Sequence, residues 1–158
     1  SLGRRNLGLL KQIPSTALTA ADTTAQEELG ILRIETNGKA YRYVRNVSSN
    51  TAVKGDAMKY SSSDNYQVTR SSTLARRNMF AGVLTAALGK NKYGWVQMGG
   101  YGNYAYTPCT VAAGDALVCH STQKGTLRKL STTTNMFAVG RTVRADSGTI
   151  LTSFFLGL

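Results

Sequence analysis

Apolar and polar residues alternate along most of this chain with a period of two. Ile31-Leu32-Arg33-Ile34-Glu35-Thr36 is the first such run and predicts a half-buried strand. Asn37-Gly38, a strong hairpin signal, turns it back into Ala40-Tyr41-Arg42-Tyr43-Val44-Arg45-Asn46-Val47, which alternates again. Shorter strands are predicted at Ala57-Met58-Lys59-Tyr60 and Tyr66-Gln67-Val68-Thr69-Arg70. Met79-Phe80-Ala81-Gly82-Val83-Leu84 is continuously apolar, as in a strand buried on both faces. Tyr93-Gly94-Trp95-Val96-Gln97-Met98 follows, then strands near 116–120, 126–130, 136–143 and 149–156. Short strands every ~8–12 residues, joined by Gly, Asn and Ser turns, predict an all-β fold, a compact β-barrel or sandwich.

The strands also repeat as a set. Val53-Lys54-Gly55-Asp56-Ala57-Met58 returns as Val111-Ala112-Ala113-Gly114-Asp115-Ala116-Leu117. Asn78-Met79-Phe80-Ala81-Gly82-Val83 returns as Asn135-Met136-Phe137-Ala138-Val139-Gly140. Gly94-Trp95-Val96-Gln97-Met98 has a weaker echo in Gly148-Thr149-Ile150-Leu151-Thr152. Two copies fall short of the roughly three that a solenoid needs. The pattern points instead to two related β units, about 53–100 and 111–158, inside one β domain spanning 27–158.

Residues 1–26 have no such period. Ile13-Pro14 breaks any local helix, because proline lacks an N–H and restrains its predecessor. The Thr/Ala-rich stretch after it holds few bulky apolar groups, and a short helix around 20–28 is the alternative. The segment reads as an extended N-terminal arm that orders on a partner. Arg4, Arg5 and Lys11 supply its charge, and Leu7, Leu9, Leu10 and Ile13 its apolar anchors.

Charge sharpens the picture. Among 158 residues, 19 are Lys or Arg and 8 are Asp or Glu, a net charge of +11. That balance favours an anionic partner: nucleic acid, a membrane surface or an acidic protein. Arg70, Arg76, Arg77, Lys90 and Lys92 fill a window without an acidic residue and form a candidate anion-contacting patch. No apolar run reaches the ~20 residues that span a bilayer, and no secretory signal is visible, so no membrane partner is expected.

Candidate chemistry is sparse. His120 is the only histidine, and its neighbour Cys119 would point to the opposite face of a strand. Two cysteines and one histidine fall short of a four-ligand zinc site without carboxylates. Asp56 and Asp115 sit where turn chemistry accounts for them. The Gly99–Tyr106 stretch lacks the Gly-Lys-Ser/Thr ending of a phosphate cradle. Neither catalytic residues, nor a metal, nor a cofactor is expected, and the chain does not read as an enzyme. Tyr101, Tyr104 and Tyr106, with Phe154 and Phe155, offer a candidate subunit interface. The same tyrosines beside Arg76, Arg77, Lys90 and Lys92 would suit a basic nucleic-acid-binding barrel, which is the alternative function.

Taken in order, Leu29-Gly30, Asn37-Gly38-Lys39, Tyr41-Arg42-Tyr43-Val44, Val53-Lys54-Gly55-Asp56, Ala81-Gly82-Val83, Tyr93-Gly94-Trp95-Val96-Gln97 and Ala112-Ala113-Gly114-Asp115-Ala116-Leu117 resemble the small capsid decoration (cement) proteins of tailed bacteriophages. The resemblance covers 29–158 and lies in order and spacing rather than in one motif. It implies a structural virion protein on the outer surface of a phage head, assembled in the host cytoplasm. It further implies that the protein clamps neighbouring major capsid protein subunits and forms a homotrimer. The arm lies outside the resembling part; its composition alone points to binding of the capsid, and nucleic acid is not the expected partner.

Overall fold

The computed structural model describes residues 14–61, 65–74, 77–101, 105–131, 137–143, 145 and 154–156, with backbone alone for Arg77 and for 154–156. The fold is all-β. Its strands are β1 (Leu32–Ile34), β2 (Ala40–Asn46), β3 (Ala57–Tyr60), β4 (Gln67–Arg70), β5 (Phe80–Leu84), β6 (Tyr93–Tyr101), β7 (Ala116–Cys119), β8 (Leu127–Lys129), β9 (Gly140–Thr142) and β10 (Phe154–Leu156). A short 3-10 turn, Arg77–Met79, leads into β5.

Strands β2, β4, β3, β5 and β6 close into a five-stranded barrel through the β2–β6 pairing. Closure removes free edges that would otherwise template aggregation. The β2–β4 pair is parallel, with Arg45 opposite Gln67, whereas the other pairs are antiparallel. A second sheet, β10-β9-β7-β8, grows from the far end of β6, which therefore belongs to both. The expected 149–156 strand is described only at its end, as β10; the 148–152 echo lies outside the described residues.

Alternation sorts the side chains into three cores. Val44, Met58, Val68, Ala81, Leu84 and Val96 fill the barrel. Ala57, Val83, Leu117, Cys119, Leu127 and Val139 pack between the barrel and the second sheet. Tyr41, Tyr43 and Trp95 form a third cluster on the barrel's outer wall, covered by Leu18, Leu29 and Ile31. Met58 and Ala57 are consecutive yet serve different cores, as the two faces of one strand must. A bulge between Met58 and Lys59 offsets β5, so that Ala81 and Leu84 face the barrel while Val83 faces the second sheet. Gly82 is required there: its φ is +141°, and a Cβ would lie 2.3 Å from the Gln97 carbonyl oxygen on β6.

The two echoed turns have the same geometry. Gly55 and Gly114 have φ of 92° and 86°. Val53 N–H donates to Asp56 Oδ2 at 2.9 Å, and Ala112 N–H donates to Asp115 Oδ2 at 2.7 Å. Each glycine N–H then bonds the end of the partner strand, Gly55 to the Leu84 carbonyl and Gly114 to the Thr142 carbonyl. The strands behind them pair alike. Met58 faces Arg70 and Gly82, as Leu117 faces Lys129 and Gly140. The Asn-Met-Phe-Ala echo aligns Gly82 with Val139, one residue off this register. The bulge in β5 accounts for the difference.

The expected arm, 1–26, is described only from residue 14. Residues 1–13 lie outside the described residues. Residues 14–26 contain no helix; they run as a strap over the outer wall of the barrel, and Asp22 bridges to Tyr93. Leu18 of the strap packs against the Tyr41, Tyr43 and Trp95 cluster of the protein's own barrel.

Candidate functional site

The strap is fixed by polar groups that its small residues expose. Glu27 Oε1 accepts from the N–H groups of Ser15 and Thr16, at 3.0 Å each, and from the Thr16 hydroxyl at 2.7 Å. Burial raises the Glu27 carboxyl's pKa, but the Thr16 and Ser15 donors and the Arg33 charge outweigh it and hold the group below its usual range. The Tyr43 hydroxyl donates to Asp22 Oδ2 at 3.1 Å and accepts from Gln26 N–H at 3.2 Å. Burial pushes that hydroxyl up to about 12, so it stays a donor. Thr85 donates its hydroxyl to the Leu18 carbonyl.

Arg33 ties the start of the strap to β1. Its Nη1 donates to the Thr16 carbonyl at 2.7 Å, its Nε pairs with Glu35 Oε1 at 2.7 Å, and its guanidinium stands 5.8 Å over Trp95. With Arg33 turned toward the body, the alternation sends Leu32 and Ile34 the other way. They are 42% and 69% exposed on an edge strand. The sequence pattern gave the period of this strand but not which face would be covered. This apolar edge was missed for that reason.

A polar pocket opens where the 47–50 loop meets β3, β4 and the β7–β8 hairpin. Val47, Ser48, Asn50, Lys59, Arg70 and Lys124 are among its walls. Arg70 Nε lies 3.0 Å from Asp56 Oδ2, an ion-pair contact in which the Nε–H finds no acceptor at a good angle. Its Nη2 donates to the Lys124 carbonyl at 2.8 Å. Lys129 Nζ meets Asp115 Oδ2 at 3.1 Å in the second unit, at the equivalent strand position. Burial raises the Asp56 carboxyl's pKa despite Val53 and Arg70. The half-buried Asp115 is lowered by the Ala112 N–H and by Lys129.

The expected anion patch is only partly assembled. Arg70 is engaged with Asp56, while Lys90 and Lys92 sit at the β5–β6 turn, where the Lys92 carbonyl accepts from Asn46 N–H. Arg76 and the side chain of Arg77 lie outside the described residues, as do Arg4, Arg5, Leu7, Leu9, Leu10, Lys11 and Ile13. Of the interface candidates, Tyr101 is half exposed and sits opposite Phe155 in the β6–β10 ladder, so the structure brings those two together. Phe154 faces Thr142. Tyr106 is half-buried, and its N–H bonds the Gly55 carbonyl; Tyr104 lies outside the described residues. Tyr101 and the Lys90–Lys92 turn stand at opposite ends of β6, roughly 26 Å apart at ~3.3 Å per residue.

Cys119 and His120 point apart. Cys119 is buried, and burial pushes its thiol up to about 11. His120 Nδ1 accepts from the N–H groups of Thr122 and Gln123, so the ring caps its own turn. Cys109 and Cys119 are both free thiols.

No protein-family model matches the chain, and no curated protein matches it either. A solved structure does. The chain is similar in fold to the N base of the head fiber protein gp8.5 of bacteriophage phi29, with a TM-score of 0.54 and 16% identity over 75% of this chain and 94% of that one.

Proposed function

We propose that this chain is a structural protein of a phage head. It sits on the outer surface as a decoration protein and stabilises contacts between major capsid protein subunits. The observation that carries the reading is the fold shared with the base of a phage head fiber, nearly all of which is covered. A rigid closed barrel suits adhesion to a shell, because little ordering entropy is lost on contact.

The contact surface follows from the strap. Arg33 holds the strap against β1 at the Thr16 carbonyl. The exposed Leu32 and Ile34 of β1 offer further apolar surface for the shell. Arg4, Arg5 and Lys11 then add charge toward an acidic shell, and Leu7, Leu9, Leu10 and Ile13 add apolar anchors. Tyr101 and Phe155 serve contacts between copies in a homotrimer. Catalysis has no part in this role.

The test is co-sedimentation with empty heads, comparing the full chain with a variant that starts at Pro14. That variant keeps its strap and should keep the circular dichroism of the full chain. It should decorate heads at least about tenfold more weakly, a loss of ~1.4 kcal/mol, and the difference should shrink in high salt. Equal decoration would overturn the role given to the arm, and no decoration by either form would overturn the head reading.

A further inference from the structure

We propose that the polar pocket beside the 47–50 loop is a binding site for a carboxylate presented by an acidic protein segment. Its volume is about 330 Å³. At ~30 Å³ per water that is room for about ten waters, enough for one acidic side chain with its adjoining backbone. Among the described residues, no carboxylate lines it.

Its charge is arranged in two tiers. Arg70 is held by Asp56 and by the Lys124 carbonyl, so its guanidinium forms a fixed wall. Lys59 Nζ reaches Ser72 Oγ at 2.7 Å. Among the described residues, neither Lys59 nor Lys124 forms an ion pair. Ser48 Oγ already accepts the Arg70 N–H at 3.0 Å, which leaves its own proton to donate. Two ammonium groups and hydroxyl donors around a concave wall suit a carboxylate.

The second unit serves as an internal comparison. By strand register, Lys59 of β3 stands where Val118 stands on β7. Val118 is 1% exposed, so the scaffold accepts a buried apolar residue at that position. The first unit places a cation there instead, at the pocket wall. A nucleic-acid ligand fits less well. Among the described residues, no aromatic ring lines the pocket to stack on a base, and the Arg70 guanidinium fork is already engaged.

That the carboxylate belongs to the shell rests on the proposed head attachment; that the pocket takes a carboxylate does not. The first experiment titrates the full chain with acetylated, amidated tetraglutamate and follows backbone amide shifts by NMR. Saturable shifts should gather at Ser48, Ser49, Lys59, Thr69 and Lys124, and tetraglutamine should produce none. Lys59→Met and Lys124→Gln should each weaken binding about fivefold, the size of one partly exposed ion pair. Lys90→Met, outside the pocket, should leave it unchanged. Lys124 is exposed, so Lys124→Gln tests the site without disturbing the core.

Shifts spread over the whole basic surface, equal binding of tetraglutamine, or full binding by both pocket variants would overturn the proposal. So would tighter binding of oligothymidylate than of tetraglutamate. A second experiment repeats head co-sedimentation with Lys59→Met and Lys124→Gln. Weaker decoration with the arm intact identifies the shell as the source. Unchanged decoration overturns that source, while the head reading stands or falls on the arm truncation.

Discussion

At the scale of single residues, one turn appears twice in two environments, and the environment sets the chemistry. Asp56 and Asp115 accept the same backbone bond from the residue three positions earlier. Burial raises the pKa of one; the Ala112 N–H and Lys129 lower the other, which is less buried. Asparagine keeps the acceptor and removes the charge, so the two variants separate these effects. A lowered folded pKa stabilises above the unfolded value near ~3.9 and is lost as pH falls through the folded value. Asp115→Asn should therefore be less stable than wild type at neutral pH, with the gap closing on acidification. A raised folded pKa works the other way, so wild type should gain on Asp56→Asn as pH falls. Urea melts across pH 3–7 read both. Gly125 is the second residue-scale case. Its φ is +81°, and a Cβ would sit 2.8 Å from Asp56 Oδ1 and 2.9 Å from Arg70 Nε. Gly125→Ala should cost about 1–3 kcal/mol through backbone strain and a displaced ion pair, measured by the urea midpoint.

At the scale of elements, the strap is the piece whose stability can be changed alone. Tyr43 is fully buried, and its hydroxyl joins Asp22 and Gln26. Tyr43→Phe keeps the ring stacked near Tyr93 and Trp95 but removes both bonds. It should lower stability by about 1–2 kcal/mol, since the Asp22 bond involves a charged acceptor. Hydrogen exchange should accelerate first in residues 20–27, before β2 or β6 changes. Unchanged exchange there would mean that Leu18, Leu29 and Ile31 hold the strap by apolar contact alone. β1 shows how an element can leave its apolar side chains outside. Arg33 pairs with Glu35 and lies over Trp95, so Leu32 and Ile34 are left outside.

At the scale of the whole molecule, β6 organises the fold. It closes the barrel against β2, backs β5, and carries the second sheet through β10. Where β6 meets β10, Tyr101 and Phe155 are backbone register partners. If that end joins copies, as proposed, light scattering should give three times the 17.0 kDa chain mass. Tyr101→Asp should then lower the mass without unfolding the barrel. A monomer at micromolar concentration would sink the trimer.

The sequence by itself determined the local events. Alternation, with the apolar run at 79–84, set the barrel strands within a few residues, Asn37-Gly38 set the first hairpin, and Gly55-Asp56 and Gly114-Asp115 set matched turns. These depend on neighbours in the chain, so a one-dimensional pattern carries them. Tertiary structure alone decided the rest. The parallel β2–β4 pair and the β2–β6 closure join segments far apart in sequence, and no local propensity encodes a partner. The pocket needs Lys59 from one unit and Lys124 from the hairpin of the other, 65 residues apart. Which face of β1 is buried was settled by where Trp95 lies. Whether 14–26 reaches outward or folds back was settled by the apolar wall that Tyr41, Tyr43 and Trp95 build together. Period is a property of the chain, but the surface a face meets exists only once the other strands are in place.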